Sequence, residues 1–265
     1  MKEKNNIIIN SAILYVIAFL LTTILHESAH VLAGFLCSSQ PVLHHNYVEH
    51  LSTNHLSVWQ QVLIALSGPL MSLFQGLVAG LVYFKSTKQR ALELFVLWFS
   101  ILGMLNFLGY LMTGPLFQNG DIGKTLMLLN TPLWIQIFIA FLGAGILLFI
   151  AYHLTSPFLT FSYKKGWVNS EQSRKNFSFH ILILPWIIGS AVMTLLYLPI
   201  VAVVSITYPI TSGMVFIFPW QNASRIENLQ LSDNKSLGQV SYVAILLLVL
   251  MILGFRLILL PGIKF

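Results

Sequence analysis

The chain has 265 residues, of which 57% are hydrophobic and 8% are charged. Ordinary soluble domains use about a quarter charged residues, so this composition excludes a soluble domain and indicates an integral membrane protein. The formal net charge of +6 lies in short clusters beside apolar runs, which suits lipid headgroups and excludes nucleic acid as the expected partner.

Six apolar runs are each long enough to cross a bilayer as a helix, which takes about 20 residues. They cover roughly residues 7–36, 59–84, 91–113, 132–153, 179–205 and 238–260. The connections, of at most about 35 residues, are too short for a separate soluble domain. We therefore predict an all-α fold with one integral membrane domain over residues 1–265. It should be a polytopic bundle of about six transmembrane helices, with a short irregular or β-like loop after the first helix.

The first run contains a cluster of ionisable residues, His26, Glu27 and His30. The run is longer than the apolar region of a signal peptide, about 7–15 residues, so we expect a retained helix. On a helix His26 and His30 lie one turn apart on the same face, where two imidazoles can bind one metal ion. Glu27 lies on the adjacent edge, within reach of a water on that ion. This His-Glu-x-x-His pattern is typical of zinc hydrolases.

A carboxylate near the centre of a membrane helix costs about 2.5–3.5 kcal/mol and usually marks function. This cost favours a functional site over polar residues that merely pack in a helix. We therefore predict one Zn²⁺ per chain, bound by His26 and His30, with Glu27 as the catalytic base.

A catalytic zinc ion usually has three protein ligands and an open position for water. Most of the eight acidic residues lie in the termini or long loops, and Glu93 heads the third run beside a basic cluster. Asp121 remains, in the glycine-rich stretch 114–124, which cannot be regular helix throughout. This stretch follows the outer end of the third run, on the same side of the bilayer as His26 and His30. We predict Asp121 as the third metal ligand; an ordinary turn residue is the alternative, because Asn-Gly-Asp is common in turns.

The connection at 37–58 is rich in histidine but contains no lysine or arginine. We expect its histidines to be solvated loop residues, although one of them could bind metal or gate the substrate. These residues are His44, His45, His50 and His55. The single cysteine, Cys37, excludes an internal disulfide and a cysteine-based zinc site.

Lysine and arginine are distributed unevenly over the connections. If the N-terminus lies inside and six spans follow, three of these residues, Lys124, Arg225 and Lys235, face outward and eleven face the cytoplasm. Short cytoplasmic loops carry an excess of these residues, so we predict that both termini are cytoplasmic. The composition of the chain ends and the compact loops favour a bacterial cytoplasmic membrane.

Three motifs together resemble the site-2 protease family of intramembrane zinc metalloproteases. They are His26-Glu27-Ser28-Ala29-His30 in the first run, Ser67-Gly68-Pro69 in the second, and Asp121 between glycines after the third. The resemblance covers about residues 20–130 and implies a three-helix catalytic core at about 7–130, with accessory helices at about 131–265. It also implies that His26, His30 and Asp121 bind zinc while Glu27 activates water. The chain departs from the family pattern at Ser72, where an asparagine is frequent, and at Ile122, where a glycine is usual.

The predicted function is hydrolysis of peptide bonds in or near the membrane segment of a protein or peptide substrate. We expect the substrate to be locally unwound and to add as a strand beside the 37–58 loop.

Two alternative functions are a protease of another architecture and a non-catalytic zinc-binding protein. The prenyl-protein endopeptidase type also carries His-Glu-x-x-His, but it needs a later Glu-x-x-x-Asp, and neither Glu93 nor Glu171 has an aspartate four residues on. A non-catalytic zinc-binding protein or carrier would use the histidine-rich loop for capture. A carrier, however, needs ionisable residues along several spans, and the second, fourth, fifth and sixth runs have almost none in their interiors.

Overall fold

The structure is a computed structural model that describes residues 2–86, 88–199, 208–227, 229, 231 and 234–265. Its α-helices are α1 (Lys2–Leu36), α2 (Val58–Lys85), α3 (Ala91–Thr113), α4 (Asp121–Leu128), α5 (Leu133–His153), α6 (Thr155–Leu159), α7 (Glu171–Ser178), α8 (Leu184–Leu196), α9 (Ile217–Asn222) and α10 (Tyr242–Leu253). Its strands are β1 (Pro41–Leu43), β2 (Val48–His50) and β3 (Ile263–Lys264). Short 3-10 and π-helical turns extend several of these helices.

Six helical segments are long and apolar enough to cross a membrane, which confirms the predicted all-α membrane bundle. They correspond to the six predicted runs, except that α8 ends at Leu196, and residues 200–205 of the predicted fifth run lie outside the described residues. In the most apolar window of the α1 span 72% of residues are buried, against 6% in the span that contains α5. Helix α1 is therefore the central helix, and α5 presents its apolar surface outward.

Helices α2 and α3 pack against α1, and hydrogen bonds between the helices set which residues lie opposite one another. The amide of Gln75 in α2 donates a hydrogen bond to Thr22 of α1 at 2.7 Å. Near the start of α1, the indole of Trp98 in α3 donates to Ser11 at 3.0 Å. Helix α2 begins at a capping box between Ser57 and Gln60, which satisfies amide groups at its first turn.

The connection between α1 and α2 forms a hairpin that folds back along α1. Strands β1 and β2 pair antiparallel, with Pro41 opposite His50 and Leu43 opposite Val48. At the turn of the hairpin the ring of His45 lies 6.4 Å from the ring of Tyr197, whose hydroxyl is 2.8 Å from Thr23 Oγ1. The predicted β-like loop is therefore a hairpin whose tip lies about one helical turn from the His-Glu-x-x-His motif.

The end of the chain lies beside this hairpin. Strand β3 pairs with β1, with Lys264 opposite Val42, whereas Asn6 and Asn10 near the start of α1 hydrogen-bond carbonyls of Gly238 and Gln239. Helix α10 consequently runs parallel to α1, away from its N-terminal end.

Helix α10 can start at this end because a return segment, residues 208–225 between α8 and α10, brings the chain back there. Pro209 accepts a hydrogen bond from Ser190 in α8, the ring of Phe216 lies 5.4 Å from that of Trp98, and the Ser224 carbonyl accepts from Arg174 in α7. Residues 208–225 thus run back toward the N-terminal end of α1, with one face packed against α3 and α7 and the other face exposed.

The structure places Lys4 in the first turn of α1, whereas Lys264 in β3 lies beside the hairpin that follows the other end of α1. Which side of a membrane each terminus faces stays a prediction. The uneven distribution of positive charge is kept in the structure. Arg225 and Lys235 join the N-terminal end, where they lie near the partners of Arg174 and near Glu3. Arg256 and Lys264 move to the opposite end, so eleven of the fourteen cationic side chains still share one end.

Candidate metal centre

The three predicted ligands meet in the structure. Nε2 of His26 lies 3.0 Å from Oδ2 of Asp121, Nε2 of His30 lies 3.4 Å from the same oxygen, and the two Nε2 atoms are 3.2 Å apart. The two histidines are buried, and the Asp121 side chain is 24% exposed. These atoms form a nearly equilateral triangle, a possible metal-binding site within a membrane-spanning bundle.

The size of this triangle suits a small divalent cation. Zinc binds imidazole nitrogen and carboxylate oxygen at about 2.0–2.2 Å with tetrahedral geometry, which separates neighbouring ligand atoms by about 3.3 Å. The three observed separations are 3.0, 3.2 and 3.4 Å. Two imidazoles and one carboxylate, with a fourth position left open, are also the donor set of catalytic zinc sites.

Hydrogen bonds at the outer nitrogens orient both imidazoles. Nδ1 of His30 donates to the Ile64 carbonyl at 2.7 Å, so the neutral ring has a lone pair on Nε2 that faces the other two ligands. Nδ1 of His26 lies 3.1 Å from Oγ of Ser72. A helical serine can pass its own hydrogen to the i−4 carbonyl, which leaves Oγ free to accept from His26. Both contacts are of the kind that fixes metal-ligating histidines.

Helix α2 approaches the ligands at Gly68, a position that tolerates no side chain. A Cβ atom there would lie 2.6 Å from Nε2 of His26 and would overlap Nε2 of His30. The backbone of α2 therefore forms one wall of the metal site, and the contacts of Ile64, Gly68 and Ser72 recur every fourth residue along one helical face.

Gly68→Ala is expected to reduce the metal content of the purified protein from one ion per chain to near zero. The added methyl group occupies the space that the two Nε2 atoms need, and a helical backbone cannot move aside without disturbing α1. Elemental analysis after purification in a zinc-containing buffer measures the effect. Gly145→Ala is the matched control, because a Cβ atom at Gly145 meets no atom within 4 Å; equal zinc content in the two variants would contradict the packing described.

Asp121 reaches the site from a break in the helical structure. Residues 114–120 form turns after α3, as predicted, and Asp121 is the first residue of the short helix α4. Helix α4 packs against α2, and its first residue contacts His26. The alternative reading of Asp121 as a plain turn residue disagrees with this placement.

Glu27 lies beside the triad without joining it. The side chain is 9% exposed, and among the described residues no hydrogen bond or ion pair holds its carboxylate. It lines an open cleft of about 590 Å³ together with His30, His50, Tyr110 and Asp121. The carboxylate is therefore free to accept a proton from a molecule in the cleft.

The loop histidines are less exposed than the sequence suggested. His45 is 1% exposed, and His44 and His50 are half-buried, so only His55 fits the expectation of a solvated residue. None of the four belongs to the metal-binding group found among the described residues. Nδ1 of His50 instead lies 2.7 Å from Oγ of Ser39.

Sequence reasoning missed several residues that shape the site. Ser72 was noted only as a departure from a family pattern, yet its hydroxyl contacts His26. Tyr110 stacks on the ring of His26, with centroids 5.4 Å apart and planes inclined by 11°. The signal for Ser72 was its spacing, because it lies one helical turn beyond Gly68 on the face turned to α1.

Comparison with protein-family models, curated proteins and solved structures gives no match to this chain. The resemblance to the site-2 protease family stays a prediction that rests on the motifs quoted above. The geometry of the triad, the free carboxylate of Glu27 and the adjoining cleft carry the functional argument.

Proposed function

We propose that the protein is an intramembrane zinc metalloprotease, similar in its catalytic core to the site-2 proteases, that hydrolyses peptide bonds in or near membrane segments. The observation that carries this proposal is the convergence of His26, His30 and Asp121 on one point beside the free carboxylate of Glu27. A carboxylate and two imidazoles brought together at membrane depth are costly to bury unless they bind a cation.

Zinc is the ion that we propose for the triad, because nitrogen and oxygen donors with an open fourth position suit it. His26 and His30 would bind through Nε2, and Asp121 would bind through a carboxylate oxygen. Bound zinc supplies Lewis acidity, which makes water nucleophilic near neutral pH and polarises a carbonyl group.

Glu27 acts as general base and then as general acid in this proposal. Its carboxylate removes a proton from the attacking water while the water oxygen bonds to the scissile carbonyl carbon. It then delivers that proton to the amide nitrogen as the carbon–nitrogen bond breaks, which releases an amine and a carboxylate. The neighbouring imidazoles and Asp121 would hold the ion and would therefore not compete for this proton.

The cleft supplies a path for an extended substrate. The hairpin lines one side through Asn46, Tyr47, Val48 and His50, and residues 113–124 line the other. Strand β2 is an outer strand of the sheet, so its free edge offers backbone groups to an unwound peptide. A peptide that lies along β2 would pass over Glu27 and His30.

The orientation that we propose follows from charge. The end of the bundle that carries eleven of fourteen cationic side chains faces the cytoplasm, and the N-terminus lies there. The triad and the hairpin are nearer the opposite face, from which water and substrate would enter. We propose that the protein resides in a bacterial cytoplasmic membrane.

Removal of zinc is expected to abolish peptide hydrolysis, and its return is expected to restore it. The test uses the purified full chain in proteoliposomes with a panel of quenched fluorescent transmembrane peptides. Treatment with 1,10-phenanthroline should reduce cleavage to the level of empty vesicles, and one equivalent of Zn²⁺ should restore most of the rate. Mg²⁺, which prefers six oxygen ligands, should not restore it.

The same vesicles distinguish hydrolysis from transport. A non-catalytic zinc carrier would move Zn²⁺ to a dye inside the vesicles and leave every peptide intact. Bound zinc that does not exchange, combined with peptide cleavage, supports the protease. Zinc flux without cleavage would overturn the proposal.

A further inference from the structure

We propose that His50 is a further catalytic residue, which donates a hydrogen bond from Nε2 to the scissile carbonyl oxygen as that oxygen gains negative charge. This inference rests on the proposed protease function and extends it to a residue outside the His-Glu-x-x-His motif and the third ligand. Three features of the structure lead to it: the position of the ring, the group that holds it, and the tautomer that this group selects.

The ring of His50 lies against α1 one turn beyond the metal ligands. A Cβ atom at Gly34 would lie 2.6 Å from Cε1 of His50, so the absence of a side chain at that position admits the imidazole. Gly34 follows His30 by four residues, a separation of about 6 Å along the helix. His50 lines the same cleft as His30 and Glu27, so a substrate carbonyl beside the triad is within its reach.

A fully buried hydroxyl holds the other side of the ring. Oγ of Ser39, a residue with 0% exposure, lies 2.7 Å from Nδ1 of His50. Ser38 and Gln40 on either side both adopt left-handed backbone, with φ of 59° and 51°. Such conformations are unfavourable for residues with a side chain. The chain thus accepts local strain on both sides of the residue that orients His50.

The environment of Ser39 selects the tautomer of the imidazole. Among the described residues His50 is the only hydrogen-bond partner of this hydroxyl, and Ser39 lies outside any helix, so no i−4 carbonyl accepts its hydrogen. A buried donor without an acceptor costs about 1–3 kcal/mol. The hydroxyl therefore donates to Nδ1, and the ring proton of neutral His50 lies on Nε2, the ring nitrogen left for a partner in the cleft that His50 lines.

The ring stays neutral in the working pH range. Burial lowers the pKa of His50 below its usual range, and the positive charge of Lys124 acts in the same direction. A neutral imidazole can donate one hydrogen bond without bringing a second full charge to the site. It would also leave the proton transfers to Glu27.

A donor placed in this way stabilises the negative oxygen of the tetrahedral state more than it stabilises the bound substrate. Loss of one such donor typically lowers kcat by about 10²–10³-fold. Because the hydrogen bond is weaker to the uncharged carbonyl, KM should change little.

The test compares His50→Phe, which fills the same space without a donor, with His50→Gln, which keeps an N–H group. The probe is a phosphinic tripeptide with leucine on both sides of phosphorus, whose tetrahedral anion resembles the reacting centre. His50→Phe should bind this probe at least ten-fold more weakly than wild type and cleave with a reduced kcat. Zinc content and the affinity for acetohydroxamate should not change. His50→Gln should recover part of both losses, and His55→Phe, an exposed change in the same connection, should behave as wild type.

Nitrogen chemical shifts of ¹⁵N-histidine-labelled protein in micelles give a readout that does not depend on activity. His50 should appear as the neutral tautomer protonated on Nε2 at pH 6, and Ser39→Ala should shift the population toward the Nδ1 form. Equal phosphinate affinity in wild type and His50→Phe, or an effect on KM alone, would overturn this inference and leave the protease proposal intact. Wild-type zinc-loaded protein that binds neither probe would overturn the protease proposal and this inference with it.

Discussion

Glu27→Gln is expected to lower peptide hydrolysis by about 10²–10⁴-fold, the usual contribution of a positioned general base, while the protein keeps one zinc ion per chain. The amide has nearly the shape of the carboxylate but cannot accept the proton of the attacking water. Zinc should remain because Glu27 is not one of the three ligand side chains. No described hydrogen bond depends on its carboxylate, so the fold should also be unaffected.

The comparison requires zinc analysis and cleavage rates on the same preparations. Glu49→Gln is the matched control, because it removes one negative charge in the same way. The Glu49 side chain is 57% exposed on the hairpin and does not line the cleft. This variant should cleave as wild type does. A Glu27→Gln protein that cleaves at the wild-type rate would show that another group activates water, and a Glu27→Gln protein without zinc would make Glu27 a ligand.

The parts of the site that the sequence predicted are those that local geometry fixes. His26, Glu27 and His30 lie within two helical turns, so their relative positions follow from helix periodicity alone. Asp121 was reached by elimination, because the chain has only eight acidic residues and a zinc ion needs a third donor. The contact itself, at 3.0 Å, depends on how α4 packs on α2, which periodicity does not specify.

The parts that the sequence did not predict depend on contacts between distant segments. Gly68 and Ser72 read as ordinary small residues of a membrane helix, and their roles emerge only from the crossing of α2 over His26 and His30. His50 read as one of four loop histidines. Its placement depends on Gly34 and Ser39, which lie 16 and 11 positions before it in the chain.

Hydropathy missed the return segment for a related reason. Hydropathy detects long, uninterrupted helices, and it identified six of them. The return segment 208–225 is built of short helical pieces that contain Pro209 and Pro219, so its sequence resembles a surface connection. Irregular backbone is tolerated at membrane depth where protein surrounds it, and here Trp98 and Arg174 supply that surrounding.

Removal of an outer hydrogen-bond partner of a metal ligand typically lowers the affinity for the metal by about 10–100-fold. Asp121→Ala is expected to lower the affinity for zinc by much more than this. The substitution removes one of three donors and the only anionic ligand. It leaves the two imidazole nitrogens 3.2 Å apart with no carboxylate bound to the cation. Hydrolysis should fall with zinc occupancy, and the stabilisation that zinc gives to the folded state should disappear.

Competition with a chelator of known affinity measures this loss, and Ser72→Ala calibrates it. Ser72 contacts only the outer nitrogen of His26, so its removal should cost about 10–100-fold and the ion should still be recovered at one per chain in excess zinc. Glu49→Ala, a carboxylate removed outside the cleft, should leave the affinity unchanged.

Retention of one zinc ion at wild-type affinity in Asp121→Ala would reassign the third donor. Among the described residues that line the cleft, Glu27 is the only other carboxylate, so it would have to bind the ion. A Glu27 bound to zinc could not also remove a proton from water, and the site would then lack a general base. The affinity of this one variant therefore separates a hydrolytic centre, in which the two carboxylates have different tasks, from a closed binding site in which both serve as ligands.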